Sequence, residues 1–482
     1  MLLLQRANEL LAENKLKEAE FMFKAVLKEV PDNGPALFGL GRIAMRLEQY
    51  DHAIYFLKRA CNHLPKMLDP LFALGDAFLA VGSAVDAKTV LEYTLSIAKH
   101  NAHAHYYLGQ FYLNHGFISE AKNTFTAGLK CPTGPVSAFM LFELSQLDEK
   151  QNLEGHIKSL SELLSQYDNK RLEVVIHYAL ANCYHRSEDF KSAFLHYKLA
   201  NEAQYSQCHF QTEDMLPFFD SIKSVCDSEF FKQPLDKVKA TFTPVFIVGL
   251  PRTGSTLLEQ MLIQHENIDS LGENTAISDK VVSYLEKRVE APYPECLQRL
   301  STHVLDYGRE IYTNEIRNAR IEAPYVINKL PSNFQSIGVI RKLFPDARFI
   351  HVTREFKANA WSVYSNYFEH DEPYFCSAKE YELYAQAEEA LMTHFKQCIG
   401  RHIHTVSYET LLAEPEKTIK STLNFLDQYY DPECMNYYKG KRLVHTLSKS
   451  QVRKPLTKAP IEAWKKYQKD FESLLSQETI SS

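Results

Sequence analysis

The stretch PVFIVGLPRTGSTLLEQ, residues 244–260, decides how the second half of this chain folds. Four apolar residues of strand type, Val245 to Val248, run into the loop GLPRTGST (249–256), and a leucine-rich helical pattern follows. Strand, loop and helix in that order are the signature of a phosphate-binding loop, G-x-x-x-x-G-K-[ST]. Both glycines stand at the required interval and Thr256 takes the Ser/Thr place, but Ser255 stands where the lysine belongs. In nucleotide triphosphatases that lysine reaches the β/γ-phosphates and the Ser/Thr holds magnesium. A loop without it suits a nucleotide with a single phosphate on its 5′ side. Backbone N–H groups at the helix start supply an anion site, and Arg252, Thr253, Gly254, Ser255 and Thr256 add charge, hydroxyls and close approach.

Apolar runs alternate with helical patterns on either side of this stretch, so the second half reads as a parallel α/β sheet. The strand candidates are 244–249, 324–328, 347–353 and 403–407. Three further segments must be explained with it, two of them at the expected carboxyl edge of such a sheet and one in a turn after the loop helix. In HVTREFKANAWSVY (351–364), Arg354 ends a strand and Ser362 lies two helical turns on, a pair suited to a second phosphate. The apolar run Phe349 to Val352 ends in Thr353 and Arg354, not in an aspartate that would hold magnesium. In VINKLPSNF (326–334), Lys329 follows a strand directly, and in SLGENTA (270–276), Glu273 sits in a turn. Two separate phosphate sites imply a donor phosphorylated in two places.

Taken together and in order, the loop PRTGST, the NKLP segment, FPDARFIHVTRE and SYETLLAEPEKTIKSTLNFL resemble the sulfotransferases that use 3′-phosphoadenosine 5′-phosphosulfate (PAPS). The similarity spans nearly all of 243–482 and is nearest to the tyrosylprotein type. It implies that residues 252–256 hold the 5′-phosphosulfate and that Arg354 and Ser362 hold the 3′-phosphate. It further implies that Lys329 stabilises the leaving phosphate and that Glu273 is the general base for an acceptor hydroxyl. No metal is implied. Tyr408, after the last strand, resembles a tyrosine beside the adenine, and Ser448 a serine of the loop that closes on the donor. Two departures stand out: the tyrosylprotein type has a lysine where this chain has Ala463, followed by Trp464, and it has two acids after the glycine where only Glu273 stands here.

The first half repeats itself. Gly41, Gly75 and Gly109 are 34 residues apart, and twelve residues after each comes an alanine, Ala53, Ala87 and Ala121. One period back lie Ala7 and Ala19, and Pro31 and Pro65 share the same interval. Segment 1–134 resembles tetratricopeptide repeats, whose helix pairs approach over small residues and stack into a superhelix with one concave face. A degenerate fifth unit covers roughly 135–170. A sixth returns with Ala181, Ala193 and Ala200, four residues later than two full periods, which implies an insertion in the fifth unit. The organisation expected is therefore a repeat array of five to six units over 1–204, a helical connector over 205–242 and a sulfotransferase domain over 243–482: an α-solenoid followed by a P-loop-like α/β domain.

With 482 residues, 45% hydrophobic and 24% charged, the composition is that of a globular protein of two or three domains. The net charge of −6 argues against general nucleic-acid binding. Nine cysteines stand singly with no C-x-x-C pair, which fits free thiols in a reducing compartment. No apolar run is long enough for a membrane helix, and the start continues into an amphipathic helix, so a cytoplasmic enzyme is expected. His100, His103 and His105 read as helix-surface residues, and His265 and His351 as structural ones. The acceptor stays open among a peptide tyrosine, a sugar and a small phenol or alcohol, with the repeat face as a holder of peptide, of a partner or of a second copy in a homodimer. Two rivals remain at this level: a repeat scaffold carrying an inactive transferase domain, and a P-loop kinase with an aberrant loop.

Overall fold

The 34-residue recurrence is a packing rule. A Cβ on Gly41 would come within 2.6 Å of Leu57, and one on Gly109 within 2.3 Å of the Phe125 ring, so only glycine lets the second helix of the pair lie this close. The alanines twelve residues on, Ala53, Ala87 and Ala121, are fully buried for the same reason, as are Ala7 and Ala19. In the computed structural model, residues 2–233, 241–369, 372–439, 456 and 459–477 are described. They fall into two units, Met1–Asp148 and Glu149–Ser482.

The first unit contains four antiparallel helix pairs and one further helix. These are α1 (Leu2–Ala12) with α2 (Leu16–Glu29), α3 (Gly34–Arg46) with α4 (Tyr50–His63), α5 (Asp69–Ala80) with α6 (Ala84–Ile97), α7 (Ala102–Asn114) with α8 (Ile118–Gly128), and α9 (Pro135–Leu147). Asn33 and Asn101 cap α3 and α7, each side chain accepting the backbone N–H three residues on, at 3.0 and 3.1 Å. His105 departs from its expected surface role. It is buried, and its Nε2 donates to the carbonyl of Lys99 at 3.0 Å.

The second unit opens with α10 (Leu153–Gln166), α11 (Lys170–Arg186) and α12 (Phe190–Tyr205). Asn169 caps α11 as Asn33 and Asn101 cap theirs, and the three caps are 68 residues apart, two full periods. The four extra residues before Ala181 are thus one additional helical turn in α11, which has 17 residues where α7 has 13, and not an insertion in the fifth unit. A whole turn preserves the buried face. These helices pack against the α/β part through buried polar groups. Asn201 donates to the carbonyl of Tyr364 at 2.9 Å and Gln204 to that of Phe368 at 2.8 Å, and in the turn after α12 the Thr212 N–H donates to Glu380 at 2.6 Å. Trp361 stacks on Tyr467 with ring centroids 4.2 Å apart.

The sheet is parallel throughout, with strands β1 (Thr243–Gly249), β2 (Ile268–Ser270), β3 (Tyr325–Lys329), β4 (Arg348–Thr353) and β5 (Ile403–Ser407) in the order β2-β3-β1-β4-β5. Four of the five match the expected runs; β2, only three residues long, has no apolar run to announce it. The central strands β1, β3 and β4 bury both faces, whereas the edge strand β5 exposes Thr405. Phe246, Val248 and Phe349 face a core with Tyr312, Leu391 and Phe395, while Val245, Ile247, Ile350 and Val352 face another with Leu258, Leu262 and Leu423. The order reverses at β1, and in open α/β sheets ligands bind where the order reverses, at the carboxyl ends of the strands.

Candidate active site

The loop after β1 is held in a shape few sequences adopt. Gly249 and Gly254 have φ of 139° and 91°, and Arg252, with φ 63°, is a non-glycine residue in the left-handed region. A Cβ on Gly249 would lie 2.5 Å from the carbonyl oxygen of Val352, and one on Gly254 would lie 2.3 Å from the Tyr408 ring. Both glycines are required by close approach as well as by conformation. Thr253 is buried and its Oγ1 donates to the carbonyl of Leu250 at 2.9 Å. Ser255 and Thr256 open the helix Ser255–Leu262 and are also buried.

Arg252, Arg354, Ser362, Tyr408 and Gly254 come together. Arg252 Nε donates to Ser362 Oγ at 3.3 Å, Arg354 Nη1 donates to the Arg252 carbonyl at 2.9 Å, and the Arg354 guanidinium lies 4.9 Å from the Tyr408 ring centroid. Burial, then the nearby Arg354 charge, pulls the Arg252 pKa down to about 10. Burial also lowers that of Arg354 and raises that of Tyr408. Both guanidiniums are half-buried, and the Arg354 charge disfavours that of Arg252, so a negative charge beside them would be favoured. Beside them a pocket of about 430 Å³ is lined by Thr253, Thr353, Arg354, Asn359 and Glu389 among others.

Lys329 and Glu273 form a second group. Lys329 ends β3, is 1% exposed, and its Nζ donates to Glu273 Oε1. Its backbone N–H donates to the carbonyl of Gly272 at 2.9 Å, which fixes the turn carrying Glu273. Glu273 is 41% exposed on its side chain, so the pair has a buried cationic end and an open carboxylate end. In the β1–β3 register Ile247 lies opposite Lys329, which sets this pair at the strand end next to the loop.

Ser448 lies outside the described residues. His351 and His265 have the structural roles expected of them. His351 Nε2 bonds Glu388 at 2.8 Å with both side chains buried, and His265 Nε2 donates to the carbonyl of Tyr429 at 3.1 Å. Several positioning residues are absent from the sequence reading. Asn359 donates to the carbonyl of Pro251 at 2.9 Å and accepts from Tyr381, which ties the loop to the helix bearing Ser362. Glu259 accepts from Ser270 Oγ at 2.6 Å, and Ser270 Oγ accepts the Gly272 N–H at 2.9 Å, which fastens the Glu273 turn to the loop helix. A glutamate standing between Leu258 and Met261 on a wholly buried helix is the signal that would have found Glu259.

A parallel α/β sheet thus carries on one edge a glycine-bounded loop, two neighbouring arginines and a lysine–glutamate pair. Residues 244–432 match the sulfotransferase family model, and residues 10–74 match that of the tetratricopeptide repeat. The chain therefore joins a tetratricopeptide-like helical region to a sulfotransferase domain with a parallel sheet. Among curated relatives, an uncharacterized protein of Aquifex aeolicus is 30% identical over 235 residues, which is 47% of this chain and 31% of that protein. Protein-tyrosine sulfotransferase 1 of Danio rerio is 27% identical over 235 residues, 46% of this chain and 65% of the relative. The chain thus spans less than two thirds of the length of these relatives. Among solved structures, the sulfotransferase domain of the Synechococcus PCC 7002 olefin synthase is 22% identical with a TM-score of 0.35, covering 48% of this chain and 91% of that one.

Proposed function

We propose that the segment 243–482 transfers a sulfuryl group from PAPS to a hydroxyl acceptor. The observation that carries this reading is the joint presence, on one sheet edge, of a lysine-less loop, two half-buried arginines and a buried lysine paired with an open glutamate. The residues fit a donor phosphorylated at two places. The loop glycines let the loop pack against Val352 and Tyr408 more closely than a Cβ would allow, and Arg252 and Arg354 supply positive charge beside it.

When bound, PAPS supplies the sulfuryl group on its 5′-phosphate. The N–H groups and hydroxyls of residues 253–256 would hold that side, and Arg354 with Ser362 the 3′-phosphate. Arg252, bonded to Ser362, would link the two. Lys329 would neutralise the charge that develops on the leaving phosphate, a fixed cation in a water-poor place. Glu273 would take the proton of the acceptor hydroxyl. To do so it exchanges its contact with Lys329 for one with the acceptor, so phosphate and hydroxyl arrive as substitutes for an ion pair already present.

The acceptor class we infer is a phenol or alcohol, with a peptide tyrosine favoured by the repeats, whose array we place over 1–204. No helix among the described residues is long and apolar enough to cross a membrane, and a cytoplasmic location remains part of this proposal. Calorimetric titration with 3′-phosphoadenosine 5′-phosphate in EDTA, beside ATP with magnesium, tests the donor. Binding of the bisphosphate is expected, weakened about tenfold or more in Arg354→Ala, as loss of a charged hydrogen bond implies. Binding of ATP–magnesium alone would put a kinase in its place.

A further inference from the structure

Arg341 is a buried cation that the proposed transfer does not use. It lies near the end of the helix Ile337–Leu343, is 5% exposed, and its Nε and Nη1 reach no hydrogen-bond partner among the described residues. A guanidinium taken out of water without a counter-charge costs several kcal/mol, on the order of the effective penalty for a buried ion. Most buried donors in folded proteins do have partners.

The surroundings deepen the imbalance. β4 begins at Arg348 and β5 at Ile403, and the register pairs Phe349 with Ile403, so Arg348 and His402 stand side by side at the amino edge of the sheet. Arg401 Nε donates to His402 Nε2 at 3.0 Å. The imidazole proton therefore sits on Nδ1, and that N–H, also buried, finds no acceptor among the described residues. Arg348 is engaged, donating to the Phe425 carbonyl at 3.1 Å and to Asp427 at 2.7 Å. Asp346, exposed on the connection to β4, is the nearby acid. It acts favourably on Arg341 and His402 but makes no hydrogen bond to the Arg341 nitrogens that lack partners. Burial, then mutual repulsion with Arg401, pulls the Arg341 pKa down to about 10. Burial together with Arg341, Arg401 and Arg348 pulls that of His402 down to about 4. Every group left over is a donor; what the cluster lacks is an acceptor with negative charge.

We propose that Arg341, Arg401 and His402 form a binding site for a tetrahedral oxyanion, a sulfate or phosphate group, at the amino edge of β4 and β5, opposite the edge that carries Arg252 and Lys329. A doubly charged anion there neutralises the excess cations and gives the leftover N–H groups their acceptor. The site is independent of the proposed transfer reaction and stands or falls separately from it.

The test uses the full chain carrying Arg354→Ala, which weakens the opposite edge, with ¹³C-labelled histidine followed by NMR at constant ionic strength. Sodium sulfate and sodium phosphate are each titrated against chloride, with the His402 signal assigned by its loss in His402→Gln. A saturable shift of that signal is expected with either oxyanion. It should weaken about tenfold in Arg401→Gln, an exposed position that leaves folding intact, and vanish in Arg341→Met. A third arm with 3′-phosphoadenosine 5′-phosphate separates the sources. A tighter response than to inorganic phosphate marks a nucleotide phosphate as the ligand, and an equal or weaker one marks the free anion. A drift no different from chloride, or a saturable shift untouched by Arg401→Gln, overturns the proposal.

Discussion

The two units solve opposite problems with the same chain. In the first, small residues recur every 34 positions so that helices of one pair touch, and the buried side chains are almost all apolar. In the second, charges are carried into the interior: Lys329 at 1%, Glu259, Glu388 and His351 at 4%, and Arg341 at 5% exposure. Burying a charge is unfavourable unless something pairs with it. The first unit is thus built by repetition of one apolar packing, whereas the second holds charges in its interior, some paired with one another, as His351 is with Glu388.

The largest test of that contrast is Lys329→Met. Removing the buried cation leaves Glu273 largely solvated, so folding should persist while transfer from PAPS to a phenol acceptor falls about 10²–10³-fold in turnover. Retained turnover would mean that Lys329 is a structural cation. Gly109→Val probes the other side. A branched side chain pressed against Phe125 should lower stability of the first unit by about 1–3 kcal/mol, read by denaturant unfolding, with bisphosphate affinity unchanged. An affinity change would show that the units are energetically coupled.

Smaller effects sharpen the comparison. Asn101→Ala removes a helix cap and should cost about 1 kcal/mol, and Asn169→Ala about the same, although the two caps belong to different units. Unequal losses would show that the α/β part shields its helices from fraying. The last test is pH. His177 and His196 face each other with Nδ1 atoms 3.0 Å apart, and burial lowers both, His196 to about 4. As pH falls below about 6.5, the unfolded chain takes up protons that the folded pair refuses. Their contribution is complete above that value and is lost progressively toward pH 4. His196→Gln should make the fall in melting temperature between pH 7 and 5 shallower. His402, lowered in the same direction, keeps part of the slope. An unchanged slope would place the proton-linked stability elsewhere.

Much of this was legible in the residues. Periodicity revealed the helix pairs because one packing solution is written out again and again, and β1, β3 and β4 were legible because a strand buried on both faces carries an apolar run. The anion loop was legible because its glycines are demanded locally, by φ and by contact. β2 was not, since three residues carry too little pattern, and neither was the place of α11 and α12. Their alanine spacing follows the repeat, while Asn201 and Gln204 bond backbone carbonyls some 160 positions further on.

Order and local geometry were therefore determined by the sequence itself: the repeat length, the strand–loop–helix unit, and the succession of Arg252, Glu273, Lys329 and Arg354. Only the tertiary structure decided which charges meet. The sheet order β2-β3-β1-β4-β5 brings strands far apart in the chain side by side, and so joins Lys329 to Glu273, Arg252 to Ser362, and His402 to the neighbourhood of Arg341. The physical reason is that conformational preference acts over a few residues, whereas burial and Coulomb interaction depend on what the whole fold packs around a group.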